Sequence, residues 1–250
     1  MVLCYHGVRR GLDPGISSVP AARLEAQLDY LTGKRWRPRD LNSSDSSERD
    51  LSVTLDDGLA SQVESWSKPL KQRGFAATLF VPVAFVGARA RWDYAGRDRR
   101  HASWSQLADW CNQGHAIGSH GMSHRDLRTL DDRQLEIEVA DSRKLLEDRL
   151  GVPVTAFSYP FGRFNARVAE HVRKAGYAQG FTTRPRAGAH DPWAQPRIVV
   201  SWLDTELSIE ARAQESLWGS VERGKQRIIS YWSGGTALRQ AWFQKVGTAA

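Results

Sequence analysis

Two carboxylates stand side by side at the end of an apolar run, where residues 51–55 (Leu-Ser-Val-Thr-Leu) are followed by Asp56 and Asp57. Burying adjacent carboxylates without a cation is costly, so the pair predicts a bound positive charge. His120 and His124 lie downstream, and their three-residue gap lets both imidazoles reach one point if the segment turns tightly. One carboxylate and two imidazoles leave coordination positions open, as in a catalytic divalent-metal site. The other aspartate is then free for proton transfer.

Each of these motifs also has a simpler interpretation. An Asp-Asp-Gly sequence after a strand is often a tight turn, because Asp tolerates unusual backbone angles and Gly supplies positive φ. A His-x-x-x-His pair is often a coincidence on the surface. The two motifs together favour the metal site, because both follow predicted strands. In an alternating β/α chain such strand ends line one mouth, where ligands bind.

Predicted strands alternate with predicted helices along the chain. The strands are predicted at about 2–6, 51–55, 76–81, 115–119, 154–158, 178–182 and 197–201. Between them, Ser103 begins one helix, and the longest helix begins at Thr129 and ends at Gly151. This alternation predicts an α/β fold whose parallel strands are joined by right-handed crossovers.

Four sequence blocks resemble the polysaccharide deacetylases, a family of metal-dependent carbohydrate esterases that includes chitin, peptidoglycan and exopolysaccharide N-deacetylases. The blocks are residues 54–58 (Thr-Leu-Asp-Asp-Gly), 119–124 (Ser-His-Gly-Met-Ser-His), 157–162 (Phe-Ser-Tyr-Pro-Phe-Gly) and 3–8 (Leu-Cys-Tyr-His-Gly-Val). The last block is similar to a subgroup that has a catalytic histidine near the N-terminus. The resemblance implies a distorted (β/α) barrel of about seven parallel strands. We expect residues 1–205 to form this catalytic barrel and residues 206–250 a helical extension packed on it.

The resemblance also assigns the metal ligands and the general base. Asp57, His120 and His124 are the implied ligands of a divalent ion. Zinc is the first choice, and cobalt, nickel, manganese or iron are alternatives that His/Asp sites also accept. Asp56 is the implied general base, because in the family the first aspartate of the pair is the base and the second is the ligand.

The remaining roles are a general acid, an oxyanion donor and an arginine that orients the base. His6 is the candidate acid, although a lone histidine in a β segment is more often structural. The backbone amide of Phe161 is the expected oxyanion donor, because the preceding proline has no N–H. Many family members carry the orienting arginine at the position of Thr155. We expect Arg163 or Arg197 to replace it.

Composition and charge limit the other classes of protein. The 250 residues carry a net charge of +7, but the basic residues are scattered and only residues 89–100 form a dense cluster, so no nucleic-acid partner is predicted. Cys4 and Cys111 are too few for a disulfide framework and are predicted to be buried free thiols. No segment has the pattern of a signal peptide or a membrane span. We therefore expect a cytoplasmic protein, with peripheral contact between the C-terminal segment and the inner membrane face as an alternative.

The predicted function is the metal-dependent removal of N-acetyl or related acyl groups from an amino sugar in a polysaccharide or other glycan. A deacetylase or deformylase of a lipid-linked sugar at the cytoplasmic membrane face is the closest alternative. Two alternatives of another class are an inactive carbohydrate-binding barrel and a basic adaptor that binds nucleic acid or lipid. The presence of both Asp56 and His6 argues against the inactive barrel.

Overall fold

The computed structural model describes residues 1–8, 17–43, 47–89, 99–184 and 191–213, together with Gly224. Most of the basic cluster at residues 89–100 and most of the extension at 206–250 lie outside these described residues. None of the described helices is long and apolar enough to cross a membrane.

Parallel strands form a nearly closed barrel, which confirms the predicted fold. The strands are β1 (Val2–Tyr5), β2 (Gly7–Val8), β3 (Ser18–Val19), β4 (Arg37–Pro38), β5 (Asp50–Leu55), β6 (Thr78–Val81), β7 (Ala116–Ser119), β8 (Ala156–Ser158), β9 (Gln179–Thr182), β10 (Gln195–Pro196) and β11 (Ile198–Val199). Around the barrel the order is β10, β9, β8, β7, β6, β5, β1, β11. Strand β4 also pairs with β5, while β2 pairs with β3 in a separate small sheet.

One short stretch of chain closes the barrel. Strand β10 pairs with β9, and β11, only one residue further on, pairs with β1 on the other side of the gap. Arg197 is the residue between these two strands, and its amide donates to the carbonyl of Thr182 at 2.9 Å. Arg197 therefore lies between β10 and β11, the two end strands of the nearly closed barrel.

Helices cover the outside of the barrel. They are α1 (Ala21–Gly33), α2 (Ala60–Gln72), α3 (Trp104–Asn112), α4 (Asp132–Glu136), α5 (Ser142–Leu150), α6 (Ala166–Lys174) and α7 (Glu206–Ala213). A π turn at Ile137–Asp141 joins α4 to α5, and short 3₁₀ turns lie at Val83–Phe85, Leu127–Thr129 and Pro160–Gly162. Large apolar side chains fill the space between helices and strands, among them the fully buried Trp66 and Trp110.

The predicted helix starts are right in one case and wrong in another. Ser103 caps α3, as predicted, by accepting a hydrogen bond from the amide of Gln106 at 3.2 Å. The prediction that Thr129 begins the longest helix is wrong, because Thr129 ends a 3₁₀ turn. Asp131 is the cap instead: its carboxylate accepts from the amide of Gln134 at 2.8 Å, and the Gln134 side chain accepts from the Asp131 amide.

The barrel interior is a second, smaller packing region. Phe80 and Phe181 lie fully buried there with their ring centroids 5.8 Å apart. Gly118 of β7 keeps room for this pair, because a Cβ atom at that position would lie 2.4 Å from the Phe80 ring. The aromatic pair therefore forms a floor beneath the carboxyl ends of the strands.

Candidate active site

The alternation of side chains along the strands brings polar groups to one end of the barrel. Successive residues of a strand point to opposite faces, so in β5 Thr54 and then Asp56 share the face opposite to Val53 and Leu55. Thr54 and Asp56 are buried and both contact Arg197. Asp56, the predicted base, therefore lies on the same inward-facing side as Thr54, directly after the last residue of β5.

Asp57, His120 and His124 lie together at this end of the barrel. One Asp57 carboxylate oxygen, Oδ1, is 3.8 Å from Nε2 of His120 and 3.6 Å from Nε2 of His124. The three potential ligand atoms all lie within 4.8 Å of one another. Two imidazole nitrogens and one carboxylate oxygen are ligands that zinc and other divalent transition metals accept. The donor set present therefore fits such an ion.

The orientation of His120 is fixed by the next strand. Its Nδ1 donates to the carbonyl oxygen of Ser158 at 2.7 Å, which leaves Nε2 unprotonated, 3.8 Å from Asp57 Oδ1 and 4.0 Å from Asp56 Oδ2. Burial lowers the pKa of His120 although Asp56 opposes the shift, and burial lowers the pKa of His124 well below its usual range. Both imidazoles are therefore neutral at neutral pH, the protonation state that a metal ligand requires.

Unusual backbone angles concentrate at the site. Four non-glycine residues of the described chain have positive φ, and three of them are Asp57 (75°), His124 (54°) and Phe161 (59°). Such angles are uncommon outside glycine and cost free energy, so they persist where the surrounding structure holds them. The positive φ of Asp57 turns its carboxylate toward the two histidines and away from the inward-facing side of β5.

Asp56 is held by an arginine. Its two oxygens each lie 2.7 Å from a guanidinium nitrogen of Arg197, and Oδ2 also accepts from the Ser158 hydroxyl at 3.2 Å. Burial alone would raise the pKa of Asp56, but the charge and hydrogen bonds of Arg197, together with His120 and His6, outweigh burial and hold that pKa well below its usual range. Asp56 is therefore ionised at neutral pH.

Of the two arginines proposed to orient the base, only Arg197 contacts Asp56 in the described structure. Arg163 pairs with Asp126 at 3.3 Å instead. The Arg197 guanidinium lies above the rings of Phe80 and Phe181, 5.2 and 5.9 Å from their centroids, and donates to the Ser158 hydroxyl at 2.7 Å. Aromatic faces and a bidentate carboxylate together fix the guanidinium plane.

His6 faces Asp56 from the end of the neighbouring strand. Its Nε2 is 3.9 Å from Asp56 Oδ2, and its Nδ1 is 3.9 Å from the thiol of Cys4. Burial lowers the pKa of His6 to about 4, despite the opposing charge of Asp56 and although a quarter of its side chain is exposed. Cys4, His6 and Asp56 could also hold a cation by distance. Arg197 already neutralises Asp56, so a second ion there is electrostatically disfavoured.

The turn after β8 places Phe161 beside the predicted ligands. The amides of Gly162 and Arg163 donate within the turn, to the carbonyls of Tyr159 and Pro160. The Phe161 ring packs edge-on against His124, with centroids 4.7 Å apart. The left-handed turn at Phe161 thus accompanies a ring that lies against His124.

Comparison with known proteins identifies the family. The family model for polysaccharide deacetylase matches residues 43–180, more than half of the chain, so the chain belongs to this family. It is 28% identical over 210 residues to YxkH of Bacillus subtilis (strain 168), a protein named as a polysaccharide deacetylase, and the match covers 80% of this chain and 71% of that one.

Solved structures show the same fold. The Streptococcus pyogenes deacetylase PplD, solved in complex with acetate, aligns with a TM-score of 0.73 and 18% identity, over 85% of this chain and 97% of that one. IcaB from Ammonifex degensii aligns with a TM-score of 0.70 and 24% identity, over 85% and 96% of the two chains.

Sequence reasoning did not find several residues that hold the site together. Gln62 of α2 donates from Nε2 to the carbonyls of both His6 and Asp56, and so ties the ends of β1 and β5 together. The buried His101 contacts the Asp57 carbonyl through Nδ1 at 2.8 Å. Gln62 and His101 belong to segments that no motif marks. Ser158 lies inside the third block. Its position on the inward face of β8 is the sequence feature that could have predicted its contact with the site.

Proposed function

We propose that this protein is a metal-dependent N-deacetylase that removes acetyl groups from amino sugars in a polysaccharide, with zinc as the preferred ion. The observation that carries the proposal is that the two adjacent aspartates have different partners. Asp57 lies with two neutral histidines, while Asp56 is paired with Arg197 and faces His6. One carboxylate is thus available as a ligand, and the other is available for proton transfer.

A divalent ion held by Asp57, His120 and His124 would polarise the acyl carbonyl and lower the pKa of a bound water molecule. The protein supplies the remaining chemistry. Asp56, kept ionised by Arg197, accepts the proton of the attacking water. The Phe161 amide donates to the oxygen on which negative charge develops.

The leaving amine needs a proton, and His6 is placed to deliver it. With a pKa of about 4, His6 is neutral in the resting site, so it must first gain a proton. His6 Nε2 lies 3.9 Å from Asp56 Oδ2, and we propose that the proton which Asp56 accepts passes to His6 once the two groups come within hydrogen-bond distance. The proton removed from water thus passes through His6 to the amine.

Acetate release from N-acetylglucosamine oligomers tests the proposal. Protein stripped of metal by a chelator should be inactive and should regain activity with zinc. Asp56→Asn should lose roughly a hundredfold or more of turnover, the scale of general-base catalysis. A lipid-linked N-acetyl sugar provides the second substrate arm. Activity on that substrate alone would replace the polysaccharide by the lipid-linked alternative, and activity that survives chelation would contradict metal dependence.

A further inference from the structure

A buried glutamate holds the loop that joins the two histidines. The amide of Ser123 donates to Glu138 Oε2 at 2.9 Å, and the Ser123 hydroxyl donates to Glu138 Oε1. The amide of Met122 donates to the backbone carbonyl of Glu138 at 3.1 Å. Glu138 is 3% exposed. Its side chain and backbone therefore bind the two residues that directly precede His124.

Glu138 lies in the π turn between α4 and α5. A π turn interrupts the regular pattern of helical hydrogen bonds, and such turns are often found at functional sites. Here two carbonyls of the turn accept hydrogen bonds from side chains or from another segment. The Glu138 carbonyl accepts from Met122, and the Val139 carbonyl accepts from the hydroxyls of Tyr177 and Ser142, each at 3.0 Å.

The loop has little room to move. Gly121 has a φ of 80°, and a Cβ atom there would lie 2.9 Å from Glu138 Oε2. On the other side, the carbonyls of Gly121 and Met122 accept from the amides of Val83 and Ala84, at 3.1 and 2.8 Å. The loop is thus held between a 3₁₀ turn and the π turn, and this environment maintains the positive φ of His124.

The cost of burying this carboxylate points to a role beyond packing. Within the described residues, the side chain of Glu138 accepts hydrogen bonds from the amide and hydroxyl of Ser123, and burying a polar group is costly unless such bonds are made. We propose that Glu138 is a positioning residue for the metal site, which acts through Ser123 on His124 and raises the affinity for the divalent ion. The inference rests on the proposed metal-dependent function.

Zinc affinity, measured by competition with a chromophoric chelator, tests this role without reference to catalysis. Glu138→Ala should bind zinc roughly 10 to 100 times more weakly, the usual loss when a residue that orients a ligand is removed. Glu138→Gln keeps an oxygen for the Ser123 amide and should recover most of that affinity. Glu136→Ala is the matched control, because Glu136 is exposed at the end of α4, two residues before Glu138. It should bind zinc as the wild type does.

A double-mutant cycle separates positioning from general stability. Ser123→Ala should also weaken zinc binding, and the double variant Ser123→Ala/Glu138→Ala should lose little more than Glu138→Ala alone, because both act through one contact. Circular dichroism and urea unfolding of the metal-free variants establish that they are folded. If Glu138→Ala does not fold, Glu138→Gln and Ser123→Ala decide the question.

The outcomes distinguish this inference from the proposed function. Wild-type zinc affinity in folded Glu138→Ala, or in folded Ser123→Ala, would overturn the positioning role while leaving the metal site intact. Fully additive losses of zinc affinity from Ser123→Ala and Glu138→Ala in the double variant would also overturn the positioning role. A wild-type protein that binds no zinc would refute the metal-dependent function, and the inference with it.

Discussion

Asp56 and Asp57 are adjacent in the chain but belong to two different regions of the site. The base region contains Asp56 and Arg197, and both side chains are almost completely buried. The ligand region contains Asp57 with His120 and His124, and there the aspartate side chain is 19% exposed. Under the proposed function, one strand end would serve two chemistries. Asp56 continues the inward alternation of β5, and the positive φ of Asp57 turns the next carboxylate toward the mouth.

The two regions also differ in what balances the negative charge. Arg197 supplies a fixed cation for Asp56, whereas the imidazoles beside Asp57 are neutral because burial lowers their pKa values. The base region is therefore complete within the protein, and the ligand region is suited to an added cation. The predictions below test this contrast.

The largest expected effect on stability is in the base region. Arg197→Met should lower the free energy of unfolding by about 3 to 5 kcal/mol, because it leaves the buried Asp56 carboxylate without its cation. Urea unfolding of the metal-free protein measures the change. Arg173→Met, which breaks a surface pair with Glu170, is the control and should unfold as the wild type does. Equal free energies of unfolding for Arg197→Met and Arg173→Met would show that Arg197 is not needed to stabilise the buried Asp56 carboxylate.

His6 should matter for turnover and not for metal content. His6→Ala should lose roughly a hundredfold or more in turnover on an N-acetylglucosamine oligomer, the usual scale for proton transfer to a leaving group. The loss should be smaller on an activated aryl acetate, whose leaving group needs less protonation than an amine. Steady-state kinetics on the two substrates check this. An equal loss on both, or a destabilised protein with no kinetic defect, would make His6 structural.

A titrating group outside both regions provides a reference for pH effects. Burial lowers the pKa of His115, which contacts the Ser67 carbonyl at 3.0 Å and stacks on Trp110. Below pH 6.5 the unfolded chain binds a proton that the folded His115 resists, so stability falls as the pH is lowered. His115→Gln should reduce the slope of the unfolding free energy against pH by at most about 1.4 kcal/mol per pH unit.

Urea unfolding of the metal-free protein between pH 7 and pH 5 measures the His115 effect. His171→Gln, on the surface of α6, is the control for a histidine change outside the core. An unchanged slope in His115→Gln would show that His115 is protonated alike in both states.

The smallest effect is expected at Phe161. If only its backbone amide takes part, Phe161→Tyr should keep wild-type turnover, because the ring that packs against His124 is preserved. Steady-state kinetics decide the point. A marked loss of turnover, with zinc affinity unchanged, would give the side chain a direct role in the reaction.

The sequence predicts those parts of the fold and site that local patterns encode. Alternating apolar strands and helices predict the barrel, and the short blocks around Asp56 and His120 mark the strand ends that meet there. The choice between Arg163 and Arg197 was not predictable, because it depends on how residues 195–199 close the barrel between β9 and β1.

Long-range support for the site is also hidden in the sequence. Gln62 resembles any polar residue in the first turn of a helix, yet it joins two strand ends. Glu138 follows an ordinary helical pattern, and nothing in that pattern predicts the π turn that turns it toward Ser123. Such contacts arise from tertiary packing and not from local propensity.

The central claim is that Asp57 is a metal ligand and Asp56 is not. Metal content of purified, zinc-loaded and dialysed variants tests it most directly, with Asp56→Asn and Asp57→Asn as a pair matched in size and chemistry. We predict that Asp57→Asn, like His120→Ala and His124→Ala, loses its zinc, whereas Asp56→Asn retains about one ion per chain, as expected for a single three-ligand site. Loss of zinc from Asp56→Asn with retention in Asp57→Asn would contradict the account and reverse the two roles.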